Sequence, residues 1–339
     1  MDKNTKINVF KYYSPTYDGD TISILRGEEK IVHSHIKVEN TGFKDGQVFF
    51  QNPEKFNDPW DSRGFNFEFS KQLNKLIESN YYLKLSDETC ISSENDFNKY
   101  FFDDMIKTMG VFCLSFSPDS ELMWSHYARN HEGYVVHFQF TLGELHEKKF
   151  SFCPVYYFNK TLNFFATVND LEKGTILLNR KNYTSGKNKE NLIYSALILK
   201  SQSWSYEKEI RLILAESNPS NLGVRNINKK WIKSIITGLN INDEFKGKLE
   251  TIVHNSEHKI ELYHANKSKD FKIEILDSND CPKKFEQYCG ESAEEKYNKF
   301  KGDCEKEIVQ YKETIDFIAE NNATFENLKK EEIEEISKE

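Results

Sequence analysis

The sequence contains no long hydrophobic run, because no stretch of about 18 consecutive apolar residues occurs anywhere in its 339 residues. Residues 1–6 are polar and lack the apolar segment of a secretory signal peptide. The six cysteines are widely spread with no CxxC pair, which excludes a disulfide scaffold. We therefore expect a cytoplasmic protein with reduced thiols and no membrane association.

Several motifs that would reveal a function are also missing. The sequence contains neither the GxGxxG loop nor the Walker loop of common nucleotide-binding folds, which disfavours both classes. It has no HExxH motif and no His/Cys grouping at a zinc spacing, so we expect no metal. No GxSxG nucleophile elbow is present either.

Charge and composition narrow the possible partners. The net charge is −8, which argues against broad, non-specific nucleic-acid binding. Residues 281–339 hold 16 acidic and 10 basic residues, so most of this excess lies at the C-terminus. With 26 Phe and 17 Tyr, the rest of the chain has ample material for a sizeable core.

Hydrophobic periodicity predicts an α+β fold with a mixed, largely antiparallel sheet and flanking helices. We expect one domain over residues 1–278 and an acidic helical extension over 279–339, with an apolar stripe from Phe300 to Ile318. Predicted strands cover 7–13, 111–117, 134–140, 204–214, 232–238, 259–264 and 272–276. Predicted helices cover 70–77, 95–109, 121–129, 189–200 and 243–253.

Two glutamates on a predicted strand form the first candidate site. Residues two apart on a strand share a face, so Glu207, Glu209 and Arg211 would line up beside one another. Paired carboxylates are suited to polarising a hydroxyl or to stabilising a developing positive charge. The alternative is an ordinary solvated strand face carrying a Glu–Arg pair.

A serine pair and two aromatic residues form the second candidate. Ser115 and Ser117 share one face of a strand, and Trp124 and Tyr127 lie one helical turn apart. The hydroxyls would bind a polar ring substituent, while an aromatic face would stack on the ring. The alternative is that both aromatic residues belong to the core.

Two weaker candidates complete the set. Lys11 and Tyr12 lie on the first strand, and residues 57–61 read Asn-Asp-Pro-Trp-Asp. Asn and Asp beside Pro are typical of turns, so the second segment predicts a loop.

Taken in order, these segments resemble a bacterial family catalogued as domain of unknown function 2971. The resemblance extends over residues 7–275, and the acidic tail lies outside it. It rests on residues 10–13, 56–61, 114–117, 123–128, 131–133, 200, 204, 206–211 and 235–238.

The layout in turn resembles the ADP-ribosyltransferase superfamily, which implies NAD as a substrate. In that superfamily a Ser-x-Ser strand, a stacking aromatic and a late Glu-x-Glu surround NAD. The resemblance implies that Glu209 stabilises the ribosyl cation and Glu207 orients the acceptor. It also implies that Ser115, Ser117 and Trp124 or Tyr127 contact the cofactor. The superfamily's first-strand His or Arg is replaced by Lys11 or Tyr12 here, so the resemblance implies that these two residues contact NAD, with Lys11 donating to the adenosine ribose.

Three functions follow as expectations. The first is an NAD-dependent ADP-ribosyltransferase or NAD glycohydrolase, which the superfamily associates with toxins and phage defence; its acceptor would be a protein, a nucleic acid or a nucleotide. The second is a non-catalytic ligand- or partner-binding module whose acidic tail docks a partner protein. The third is a metal-dependent nuclease using Asp58, Asp61, Glu207 and Glu209.

Overall fold

The computed structural model describes most of the chain before residue 286. The described residues are 4, 6–15, 17, 18, 21, 22, 46–63, 65–69, 83, 84, 90, 91, 93–99, 106–159, 162–166, 194, 196–215, 223–270 and 272–285. The predicted helix at 70–77 and the predicted tail helix with its stripe from Phe300 to Ile318 lie outside them. The predicted domain boundary at residue 278 therefore stays a prediction.

Strands dominate the described residues. They are β1 Lys6–Tyr13, β2 Tyr17–Asp18, β3 Thr21–Ile22, β4 Gln47–Phe50, β5 Phe65–Phe69, β6 Leu83–Lys84, β7 Cys90–Ile91, β8 Met109–Ser115, β9 Tyr134–Thr141, β10 Ser151–Pro154, β11 Tyr156–Phe158, β12 Leu162–Ala166, β13 Leu199–Ser201, β14 Glu209–Ala215, β15 Gly223–Asn226, β16 Ile232–Thr237, β17 Glu261–Lys267 and β18 Ile273–Leu276. The α-helices are α1 Glu94–Lys99, α2 Glu121–Tyr127, α3 Leu142–Glu147 and α4 Asp243–His254. Short 3-10 helices cover Pro53–Lys55, Ile106–Thr108, Gln202–Glu207 and Lys229–Trp231.

Eight strands form one sheet in the order β10-β14-β8-β1-β9-β16-β17-β18. Of its seven strand pairs, six are antiparallel, and β16–β17 is parallel. Helix α4 connects the two parallel strands, as a crossover between parallel neighbours requires. The predicted α+β class and largely antiparallel sheet are confirmed.

The chain divides into two compact units. The first holds the described residues of Met1–Asn52, Met109–Val155 and Ser203–Glu307, and it contains the whole eight-stranded sheet. The second holds those of Pro53–Thr108 and Tyr156–Gln202, including the parallel pairs β5–β12 and β11–β13. No helix of the described part has the length and apolar composition needed to cross a bilayer.

One face of the large sheet carries an aromatic core. Phe10 and Tyr12 of β1 pack there with Trp124 of α2 and Tyr263 of β17. The other face buries Ile7, Val9, Phe112, Leu114 and Phe138. Alternation along β1 and β8 produces this division, as the sequence pattern predicted for 112–115.

The turn after α2 is built on close backbone contacts. Three consecutive residues, Arg129 to His131, have φ values of 48°, 52° and 68°, the left-handed region that side chains rarely adopt. Gly133 ends the turn, and a Cβ there would lie 2.0 Å from the carbonyl oxygen of Tyr13. Only glycine lets the turn approach β1 this closely, and the approach fixes where α2 lies on the sheet.

Three sequence predictions need correction. Within the helix predicted over 95–109, the described residues form α1, a 3-10 helix at Ile106–Thr108 and the start of β8, where Met109 pairs with Ala215. The helix predicted over 189–200 ends in a strand, since Leu199 and Lys200 belong to β13. The strand predicted over 204–214 begins only at Glu209, because Gln202–Glu207 is a 3-10 helix.

Candidate functional site

The end of β8 and the start of β14 meet at Ser115. Ser115 is the register partner of Glu209 on one side and of Phe10 on the other. Its hydroxyl donates to the carbonyl oxygen of Glu207 at 2.7 Å, and its oxygen accepts from the Ser117 backbone N–H at 3.1 Å. The buried Ser115 side chain thus ties the end of β8 to the 3-10 helix before β14.

Ser117 belongs to the same buried network. Its carbonyl oxygen accepts a hydrogen bond of 2.8 Å from the Tyr12 hydroxyl, and its own hydroxyl donates to the Asp119 carboxylate. Burial, with a smaller contribution from the Asp119 charge, raises the pKa of Tyr12 well above its usual range. Ser115, Ser117 and Tyr12 therefore share one hydrogen-bonded network, and their hydroxyls bond to protein groups. The sequence analysis did not predict Asp119 as a member of this network. Its position two residues after the Ser-x-Ser segment could have indicated that role.

Glu207 is the carboxylate around which the site is built. It ends the 3-10 helix, and the next residue, Lys208, has a φ of 44°, which turns the chain into β14. The backbone is fixed there because the Lys208 carbonyl accepts from Phe116 N–H at 3.0 Å. The Glu207 residue is only 3% exposed, and its Oε1 accepts from the Tyr127 hydroxyl at 2.5 Å. A short hydrogen bond to a carboxylate shielded from water is a strong one.

A second contact lies beside the first. His126 Nδ1 is 2.9 Å from the Tyr206 hydroxyl, and the two rings meet edge to face at 5.7 Å. Consecutive residues of α2 thus contact consecutive residues of the 3-10 helix. The His126 end of this double contact is exposed, whereas the Glu207 end is buried, so the site runs from the surface inwards.

Glu209 occupies a different environment from the one predicted. Both of its carboxylate oxygens accept from Arg211, at 2.9 Å from Nε and 3.0 Å from Nη2. Glu209 is 3% exposed and Arg211 is fully buried. The alternative of a solvated strand face is wrong, because both side chains of the pair are buried. The predicted Glu–Arg pairing itself is present, as a buried bidentate contact.

Trp124 lies within the core. Its side chain is fully buried, its Nε1 donates to the Pro118 carbonyl at 2.9 Å, and its ring meets Tyr12 edge-on at 5.4 Å. His131 stacks on it with ring centroids 6.2 Å apart. Trp124 is too deeply buried to stack on a ligand ring. Of the two aromatic residues predicted for that role, only Tyr127, which is half-buried, is left as a candidate.

The two first-strand candidates point to opposite faces of the sheet. Tyr12 pairs with Val135 and joins the site through Ser117, whereas Lys11 pairs with Val136. The Lys11 ammonium lies 5.4 Å from the ring centroid of Phe112, on the other face. Lys11 and Tyr12 therefore cannot serve one ligand together.

The acidic residues proposed for a metal site are engaged separately. In the second unit, Asp61 forms a buried ion pair of 3.4 Å with Lys200. In the first unit, Glu207 accepts from Tyr127 and Glu209 from Arg211. Across the described ranges, no three His, Cys, Asp or Glu residues lie in an arrangement that could hold a metal ion.

The chain was also compared with known proteins. The described residues form an α+β fold. Its candidate site contains the buried carboxylate of Glu207, at the end of the 3-10 helix that precedes β14. The model of a family described as "Protein of unknown function (DUF2971)" matches residues 123–212, which confirms the resemblance to that family over this segment. Tyr127, Glu207 and Glu209 all lie in the matched segment. Comparison with curated proteins and with solved structures finds no match.

Proposed function

We propose that this protein binds NAD and cleaves its nicotinamide–ribose bond, passing the ADP-ribosyl group to an acceptor. The observation that carries the proposal is the 2.5 Å hydrogen bond from Tyr127 to Glu207, in a segment matched by the family model. It places a shielded carboxylate beside a half-buried aromatic ring. The resemblance of the layout to ADP-ribosyltransferases supplies the substrate.

The reaction needs one carboxylate that stabilises positive charge. The bond between ribose C1′ and the nicotinamide nitrogen breaks, and nicotinamide leaves as a neutral molecule with both bonding electrons. The ribose ring becomes cationic in the transition state, and a nearby carboxylate hydrogen-bonded to the ribose hydroxyls lowers its energy. An acceptor oxygen or nitrogen then bonds to C1′ and loses its proton.

We assign this role to Glu207 rather than to Glu209. Arg211 neutralises Glu209 and bonds both of its oxygens, so Glu209 offers little charge to a substrate. Glu207 is the carboxylate that lies against Tyr127, the half-buried aromatic ring of the site. Glu209 then acts as a positioning residue that holds the start of β14 beneath the 3-10 helix.

The acceptor is left open in this proposal, as a protein, a nucleic acid, a nucleotide or water. A role as a toxin or phage-defence effector rests on the superfamily resemblance alone. A partner protein bound through the acidic C-terminal segment belongs to the same proposal.

A second candidate function is a non-catalytic binding module on the same fold. It is favoured because several side chains that an enzyme would direct at NAD contact other protein groups instead. Ser115 and Ser117 bond to protein groups, Glu209 is paired with Arg211, and Lys11 lies on the opposite face.

Nicotinamide release from NAD separates the two. The wild type, Glu207→Gln and Glu209→Gln are compared, with Glu132→Gln as a control, because Glu132 forms an exposed ion pair with Arg129. We expect Glu207→Gln to lower turnover by about 10²–10³-fold with little change in NAD affinity. Measurements are made at a temperature where melting curves show every variant folded. No release by the wild type supports the binding module, and unchanged turnover in Glu207→Gln ends the assignment of Glu207.

A further inference from the structure

The loop at 57–61 presents an exposed tryptophan that the proposed site does not use. Trp60 is 65% exposed, whereas Trp124 is fully buried and Trp231 is 2% exposed. The next residue, Asp61, is buried, but the indole of Trp60 points into solvent. Large aromatic side chains left in water by a folded protein are frequent anchors of binding surfaces.

The loop that carries Trp60 is held firmly. The backbone N–H of Trp60 donates to Asp58 Oδ1 at 3.0 Å, and the Trp60 carbonyl accepts from Arg63 N–H at 3.1 Å. Asp61 forms the buried ion pair with Lys200 and accepts from the Ser62 hydroxyl at 3.0 Å. A side chain exposed on such a fixed loop loses little entropy when it binds, which favours affinity.

Among the residues that the structure describes, none donates a hydrogen bond to one carboxylate oxygen beside Trp60. Asp58 is 5% exposed, and this buried oxygen is its Oδ2. Its other oxygen accepts from the Trp60 N–H, so the carboxylate lies directly against the backbone that presents the indole. Leaving a charged oxygen without a donor is costly, and a donor supplied by a ligand removes that cost.

These two features together select the ligand chemistry. We propose that the loop at 57–61 binds an arginine side chain of a partner polypeptide, with the guanidinium stacked on Trp60 and donating to Asp58. Guanidinium is the group that both stacks on aromatic faces and donates in a planar fork to carboxylates. Lysine offers no planar group to stack. A nucleotide would bring phosphate to a protein with a net charge of −8.

Asp58 Oδ2 is shielded from solvent, so the guanidinium stacks on the exposed indole first and reaches this oxygen when the Asp58 side chain turns towards it, while the loop backbone keeps its place. The inference does not depend on NAD cleavage, since it concerns another part of the chain.

The test is calorimetric titration with four probes. They are an acetylated and amidated Gly-Arg-Gly peptide, its lysine and citrulline counterparts, and adenosine monophosphate. The variants are Trp60→Ala and Asp58→Asn, which keeps an acceptor oxygen for the Trp60 N–H. Val224→Ala is the control for an exposed apolar side chain, and Asp270→Asn is the control for an exposed charge.

We expect saturable binding of the arginine peptide by the wild type, weaker binding of the other three, and losses of about tenfold in each loop variant. Both controls should bind as the wild type does. Absence of saturable arginine binding overturns the proposal, and so does tighter binding of adenosine monophosphate through Trp60. An Asp58→Asn protein that is more stable yet binds equally well would show that the oxygen is only a cost to folding.

Discussion

Arg211 holds the carboxylate of Glu209 with two hydrogen bonds, in a position where neither side chain reaches solvent. We predict that Glu209→Gln destabilises the protein by about 3–5 kcal/mol, because it removes one partner of a buried ion pair and leaves the Arg211 charge uncompensated by Glu209. Urea unfolding measures the change.

Glu132→Gln is the matched control. Its ion pair with Arg129 joins two side chains that are about half exposed, so the loss should stay below about 1 kcal/mol. Equal small effects in the two variants would show that the Glu209–Arg211 contact contributes no more than a surface pair.

The hydrogen bond between Tyr127 and Glu207 gives a second prediction. Tyr127→Phe keeps the ring but removes the donor, so a buried carboxylate oxygen loses a partner at a cost of about 1–3 kcal/mol. Tyr206→Phe removes an exposed contact with His126 and should cost less. The same two proteins, assayed for nicotinamide release, show whether the inner contact matters more than the outer one for activity as well.

Gly133 and Gly247 should respond to alanine in opposite directions. At Gly133 a Cβ would lie 2.0 Å from the Tyr13 carbonyl oxygen, so the backbone must shift, and we expect a loss of at least about 2 kcal/mol. At Gly247, inside α4, a Cβ meets nothing within 4 Å, and alanine should stabilise the helix by up to about 1 kcal/mol. Thermal melts of both proteins check this, and a stabilising Gly133→Ala would contradict the close approach.

His137 gives a pH dependence. Burial, reinforced by the charges of Lys233 and Lys283 and opposed by Glu261, lowers the pKa of His137 to about 3. The unfolded chain therefore binds this proton more readily, so His137 contributes stability above pH ~6.5 that is lost as the pH falls towards 3.

The measurement compares wild type with His137→Gln. Between pH ~6.5 and ~4, the free energy of unfolding of the wild type should fall faster, by up to about 1.4 kcal/mol for each pH unit. Carboxylates titrate in both proteins, so the difference between the two curves isolates His137. Parallel curves would mean that the pKa of His137 in the folded protein is not lowered, so that the ring takes up its proton as readily as in the unfolded chain.

Local patterns predicted much of the sheet, because alternation along 112–115 reflects a property of every strand. Ser115 and Glu207 were placed in one site, yet the bond between them joins residues 92 apart and has no local signature. The sequence left open whether Glu209 serves a site or lies on a solvated face, because it shows the charge and does not show that the side chain is buried with Arg211. The prediction of a strand at residues 204–207 is wrong, because alternating aromatic and polar residues are also compatible with a 3-10 helix.

The place of β1 between β8 and β9 governs how the chain can be made. During synthesis on the ribosome, β1 emerges first, but neither neighbour exists until residues 109–141 follow. At a synthesis rate of roughly 5–20 residues per second, both edges of β1 stay unpaired for on the order of 10 s. Both edges expose unpaired backbone groups and apolar side chains during that wait, a state that invites pairing between nascent chains. The yield of folded protein should therefore rise with chaperone supply and at a lower growth temperature.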